Sequence, residues 1–195
     1  MTDLQAWVAP TYQQLAETLT ADTWDTPSLC EKWLVRHVIA HVTMPVRLTP
    51  EQFGAEMAAA GGDFTVLSDT VATRDASLPE ADLLDQLRSP RLHAWQPPGG
   101  GAAGALRHAV IHSLDVTIPL DRPPAAPPEA VTAVLGQLTT SNGTWFGVDL
   151  TGVRLEATDT GWSWGDGTLV SAPSGSLVSL LSGRTLPTGQ ALPRT

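Results

Sequence analysis

Trp33-Leu34-Val35-Arg36-His37-Val38-Ile39-Ala40-His41 and, further along, His108-Ala109-Val110-Ile111-His112 are the two stretches whose reading decides the fold. Each carries His-x-x-x-His, and together they hold four of the five histidines in the chain. Both fall on predicted helices, one over 33–43 that stops before Pro45 and one over 102–118 that is closed by Pro119. Residues four apart lie one turn apart on the same helix face, so each pair aims two imidazoles at one place. Imidazole is a common ligand for zinc, nickel, copper and iron. Two facing helices with histidines at matched depth would hold a metal between them, as bundle metal sites do. The alternative is that these histidines cap helices, hydrogen-bond or face solvent.

The other helices follow outward from these two. A first helix starts at Thr2, with Thr2 and Gln5 as its capping box and Pro10 marking a kink or a late start. Residues 50–60 make a short helix with proline in its first turn, ended by Gly61-Gly62. A helix over 79–88 turns Leu83, Leu84 and Leu87 to one side. Residues 96–104, rich in Pro and Gly, break the chain before the second histidine helix. The Pro-rich run 121–129 is a semi-rigid linker, and a further helix covers 129–139. We expect a helical unit over 1–122, followed by linker, helix and a small α/β part over 123–195. In that last part Val153, Leu155 and Ala157 alternate with polar residues as a half-buried strand does, and Trp162 and Trp164 repeat the pattern. Turns at Asp159-Thr160-Gly161 and Gly165-Asp166-Gly167 complete a small meander, and a helix over 174–182 packs on it.

Composition removes several function classes. The 195 residues carry a formal charge of −9, with a pI near 4.8. Phosphate binding needs clustered Lys and Arg, so a nucleic-acid partner is not expected. Lys32 is the single lysine, and the arginines are scattered, which also disfavours a basic membrane-surface helix. No apolar run is long enough to span a bilayer, and the N-terminus does not read as a secretory signal. The lone Cys30 allows no internal disulfide and fits a cytoplasmic protein. No Walker loop, CxxC, GxSxG or dinucleotide-binding GxGxxG is present.

Three neutral histidines on zinc leave the cation its full charge and an open position, which lowers the pKa of a bound water or thiol. The histidines alone do not choose between the two. Asp115, three residues after His112, is placed either to receive the outer N–H of a metal-bound histidine or to act on substrate; the other reading is an exposed Asp near a helix end. Cys30 is read as a small buried apolar residue, with ligand or nucleophile as the alternative. Trp33 is the candidate for lining a pocket, and His93 is expected at the surface.

The run from Trp24 through Pro27-Ser28-Leu29-Cys30, Trp33 and Val35-Arg36-His37 to His41 resembles the start of the DinB/YfiT-like metalloenzymes. The likeness is to the branch named for mycothiol-dependent maleylpyruvate isomerase. His108-Ala109-Val110-Ile111-His112-Ser113-Leu114-Asp115, the Gly161-Trp162-Ser163-Trp164-Gly165-Asp166-Gly167 run and Leu180-Leu181-Ser182-Gly183-Arg184 are similar to later parts of that branch, so the resemblance covers nearly the whole chain. It implies a mainly α (α+β overall) fold: a DinB-like up-down-up-down four-helix bundle with a small C-terminal α/β meander-plus-helix part. It implies metal ligands at His41, His108 and His112. His37 stands where the family has Asp, one turn from His41, and is assigned with Trp33 to the surroundings of the bound cofactor. Arg184 matches a family arginine near the active site and is expected to hold a substrate carboxylate, with Asp115 orienting His112. His108 stands where the isomerase proper has Glu.

The expected function is a divalent-metal enzyme, using zinc or another ion such as nickel. It would hold a low-molecular-weight thiol, mycothiol, as thiolate for a transferase or isomerase reaction on a small electrophile. The alternatives are a metal-dependent hydrolase using zinc-hydroxide and a non-catalytic binding protein. The expected partners are the thiol and the small electrophilic substrate, and the assembly is a monomer or homodimer.

Overall fold

A computed structural model describes residues 3–140 and 142–195. The expected cap at Thr2 lies outside them. Asp3 caps a 3-10 turn over Leu4–Trp7 by accepting the Gln5 N–H. Helix α1, Val8–Thr18, follows. Pro10 falls in its first turn, where a missing N–H costs no helical bond. This is the late start that the proline signals.

Helix α2, Val35–Arg47, runs on through Pro45 instead of stopping before it. The Arg47 side chain folds back along the helix and secures the turns around the proline. It donates to the Ala40 carbonyl at 2.6 Å, to Thr43 at 2.7 Å and to Asp75 at 2.9 Å. Helix α3, Pro50–Ala59, has the expected proline start and a Thr49/Gln52 capping box. Helix α4, Phe64–Asp75, was not anticipated; Asp63 caps it, and Leu67 and Val71 bury against Met44 of α2. Helices α5 (Glu80–Leu87) and α6 (Pro90–Ala94) come next, and α6 also lies outside the sequence reading. His93, expected at the surface, is half-buried, with its Nε2 donating to the Leu87 carbonyl at 2.8 Å.

Helix α7, Gly101–Thr117, is the longest among the described residues. It packs against α1, α2, α8 (Pro128–Thr140) and α9 (Ser174–Leu181), while α2 also packs on α4 and α5. One apolar core joins these layers, with Leu15, Ile39, Leu106, Leu114, Leu135 and Leu177 at 0% exposure. Each such buried side chain contributes about 2 kcal/mol relative to exposure. No helix among the described residues is long and apolar enough to cross a membrane.

The C-terminal sheet contains β1 (Val153–Ala157), β2 (Ser163–Trp164) and β3 (Thr168–Ala172). β1 and β2 form the expected antiparallel pair. β3 does not continue the meander: it lies parallel to β1 on its other edge, giving the order β2-β1-β3. The connection must cross the start of β1 at backbone contact distance. A Cβ at Gly167 would collide with the Gly152 carbonyl, and its φ of +137° suits glycine alone.

A histidine cluster at the head of a cavity as the candidate active site

His41, His108 and His112 come together between α2 and α7. One ring nitrogen from each lies within 4.8 Å of the others. The ring centroids are 5.4 Å apart for His41 and His108, 4.7 Å for His41 and His112, and 4.8 Å for His108 and His112. The second pair supplies both of its histidines. The first supplies only His41.

His37 serves its own helix instead. Its Nδ1 accepts the Leu34 N–H at 3.2 Å, satisfying a donor at the start of α2. Leu34 has no side-chain acceptor, so this is half of a capping box. Trp33 stands against the cluster, its ring 5.3 Å from that of His41, with its indole N–H donated to Asp69 at 2.9 Å. Trp95 packs edge-on to His108 at 5.2 Å.

Each clustered histidine has its Nδ1 engaged by a different protein group. His41 pairs with Ser68 Oγ at 3.0 Å, His108 with Tyr12 Oη at 2.9 Å, and His112 with Asp115 Oδ2 at 2.9 Å. That leaves Nε2 of each ring as the nitrogen open to a ligand, the arrangement in which metal-bound histidines are oriented by outer hydrogen bonds. Burial, reinforced by the neighbouring His112, pushes His41 and His108 well below the ordinary histidine range. Both are therefore neutral near pH 7, as a metal ligand must be. The donor set fits a divalent cation such as zinc. Burial keeps the Tyr12 hydroxyl protonated by raising it above the ordinary tyrosine range.

Asp115 is fully buried. Its Oδ1 accepts Arg184 Nε at 2.8 Å, and its Oδ2 accepts Arg184 Nη2 at 3.0 Å, His112 Nδ1 at 2.9 Å and the Cys30 thiol at 3.1 Å. Burial alone would raise its pKa, but the bonds from His112 and Arg184 outweigh it and hold the carboxyl well below the usual range. Cys30 is carried by a pinned loop: Ser28 N–H donates to the Trp33 carbonyl and Leu29 N–H to the Asp115 carbonyl. Burial and then the Asp115 charge push the thiol up, away from the reactive thiolate. Arg184 Nη2 also approaches Cys30 Sγ at 3.4 Å, and Nη1 donates to the Ser182 carbonyl at 3.3 Å.

A cavity of about 810 Å³ opens onto the cluster, lined by His41, His108, His112 and Arg184 at one part and by Phe64 and Trp145 among others. Its size suits a small organic ligand. Sequence reasoning singled out His41, His108, His112, Asp115, Trp33 and Arg184, which the structure places at or beside the cluster. It missed Tyr12 and Ser68, whose only sequence signal is a polar group on the buried face of its helix. It also missed Arg107, which follows no motif.

Residues 9–96 match a family model described as the mycothiol maleylpyruvate isomerase N-terminal domain. No curated protein matches the chain. Two solved structures share the fold, the mycothiol-dependent maleylpyruvate isomerase at 18% identity and a histidine-to-alanine variant of it at 16%. Each has a TM-score of 0.57, with 98% of this chain and 93% of that chain covered. Residues 9–96 are therefore similar to the mycothiol maleylpyruvate isomerase N-terminal domain, and the chain as a whole shares the fold of the isomerase.

Proposed function

We propose that the chain is a divalent-metal-dependent enzyme that uses a low-molecular-weight thiol, mycothiol, in an isomerase or S-transferase reaction on a small electrophile. The observation that carries this reading is the convergence of three imidazoles at the head of a cavity, each with its Nδ1 already bonded within the protein. The family match and the shared fold support the thiol. A bound cation, zinc or nickel, would supply the positive charge that lowers a thiol's pKa and holds it as the nucleophilic thiolate.

The chain's own groups do the rest. His41, His108 and His112 would hold the cation, and Tyr12, Ser68 and Asp115 fix their ring orientations. Asp115 places negative charge behind His112 and fixes which of its ring nitrogens faces the cluster. Arg184 keeps Asp115 ionised and oriented. The aromatic walls from Trp33, Phe64 and Trp95 reduce water around the cluster, which strengthens charge interactions within it. An isomerisation would then consist of thiolate addition to a cis double bond, rotation about the resulting single bond, and elimination that returns the thiol. A transfer would end with the thioether and a departed leaving group.

The test is elemental analysis of the purified protein, followed by titration of mycothiol. Stoichiometric metal that disappears in His41→Ala and His112→Ala, together with a mycothiol-dependent change in the absorption of a cobalt-substituted protein, is the expected result. Metal that is bound but unperturbed by the thiol, with turnover of ester or amide substrates by water alone, would replace this reading with a hydrolase.

A further inference from the structure

The chain carries a net charge of −9, yet its main cavity has the opposite character. Arg91, Arg107 and Arg184 line it, and no aspartate or glutamate is among the described residues that do. A cavity lined with one sign of charge concentrates ligands of the other.

The three arginines are not equally available. Every guanidinium nitrogen of Arg184 is engaged, Nε and Nη2 by Asp115, Nη2 also by Cys30 and Nη1 by the Ser182 carbonyl. Its charge is balanced before a substrate arrives. Arg107 is held differently. Among the described residues its guanidinium meets only the neutral Gln137 Oε1, at 3.4 Å, and the face of Trp145, 4.4 Å from the ring centroid. Arg91, on α6, donates to the Leu48 carbonyl at 3.3 Å and has no carboxylate partner among the described residues.

A half-buried guanidinium without an acid beside it is an unfavourable arrangement that an incoming anion relieves. Stacking on an indole occupies the guanidinium face and leaves its N–H edge for a planar carboxylate, to which arginine binds in bidentate fashion.

We propose that Arg107, backed by Trp145 and with Arg91 lining the same cavity, is a carboxylate-binding subsite that selects acidic electrophiles, and that Arg184 is not the substrate's anchor. The word electrophile rests on the function proposed above; the binding of a carboxylate does not.

The experiment therefore begins with binding in the absence of thiol. Succinate and its neutral dimethyl ester are titrated calorimetrically into the protein as purified, into Arg107→Gln and into Arg107→Lys, with metal content measured for each. Saturable succinate binding that weakens about tenfold or more in Arg107→Gln and returns only in part in Arg107→Lys, which keeps the charge but not the bidentate edge, is expected, with the ester indifferent to the substitution. Equal succinate affinity in the parent and Arg107→Gln, or no saturable binding to the parent, overturns the proposal. Under turnover with a thiol, Arg107→Gln is expected to raise KM for an acidic electrophile and leave KM for the thiol unchanged. A rise in the thiol KM alone would put the thiol at Arg107 and overturn the assignment. If binding behaves as expected but no thiol-dependent turnover exists, the subsite stands and the enzymatic reading falls.

Discussion

Arg184 and Asp115, 69 positions apart in sequence, are joined by two hydrogen bonds, Nε to Oδ1 at 2.8 Å and Nη2 to Oδ2 at 3.0 Å. This ion pair ties the end of α9 to α7 directly behind His112. Asp115 is completely buried, whereas the Arg184 side chain keeps 22% exposure.

Arg184→Met leaves the Asp115 carboxylate buried without its cation. Removing one partner of a buried pair is costly, and the partial exposure of the guanidinium sets the loss at about 3 kcal/mol, the lower end of the usual range. Urea unfolding of Arg184→Met and of Arg184→Met/Asp115→Asn checks this: the double variant is expected to recover part of the loss. Equal stability of the single variant and the parent would contradict the pairing.

Tyr12→Phe removes the hydroxyl that meets His108 Nδ1 while keeping the ring in the core. Outer partners of metal-bound histidines typically contribute about tenfold to a hundredfold in affinity. Competition against a chromophoric chelator is expected to show zinc affinity falling about tenfold, with a comparable fall in Ser68→Ala. Undiminished affinity in both would mean that the cluster does not bind metal through Nε2.

Acid is expected to destabilise the metal-free protein. His41 and His108 have folded pKa values below the ordinary one, so between the folded value and about 6.5 the unfolded chain binds protons that the folded chain refuses. Stability is unaffected by these groups above about pH 6.5 and declines below it, by up to about 1.4 kcal/mol per pH unit for each histidine. Thermal unfolding of apo-protein from neutral to mildly acidic pH is the measurement, with His108→Gln as comparison. The variant is expected to show the shallower decline, and a parent curve flat through this window would contradict the burial of neutral imidazoles.

Cys30 is expected to be chemically quiet. Its thiol is raised by burial and by Asp115, so alkylation by iodoacetamide at mildly alkaline pH, followed by mass spectrometry, should be much slower in the folded protein than in urea. Cys30→Ala should retain its metal. Loss of metal in that variant would bring the sulfur into the ligand set with His112 and Asp115, the other cluster whose ligand atoms lie within 4.8 Å.

His37→Ala should also keep its metal. It removes a half capping box and is expected to cost about 0.5–1 kcal/mol in chemical unfolding. Metal loss without a stability change would reassign His37 from the helix start to the cluster.

The helices that carry the histidines, the proline-led start of α3 and the strands β1 and β2 were legible in the sequence, because their signals are local. Four-residue spacing places side chains on one helix face, alternation places them on one sheet face, and caps act within a turn. The same locality brought His108, His112 and Asp115 together, and the motif around Trp24, Cys30 and Trp33 pointed to the family. Helix α4 escaped notice because its apolar face is narrow, Leu67 and Val71 among polar neighbours, and Met44 from another helix completes the packing. Spacing alone did not decide which histidine of the first pair joins the cluster: the family resemblance pointed to His41, and the tertiary structure gives the physical reason. His37 and His41 have the same spacing as His108 and His112, but the helix begins at Val35 and consumes His37 as a cap. Packing alone also brings Tyr12 to His108 across 96 positions, lays β3 beside β1, and pairs Arg184 with Asp115 while leaving Arg107 to the cavity. Those contacts depend on how helices and strands stack in three dimensions, and no periodicity along the chain encodes them.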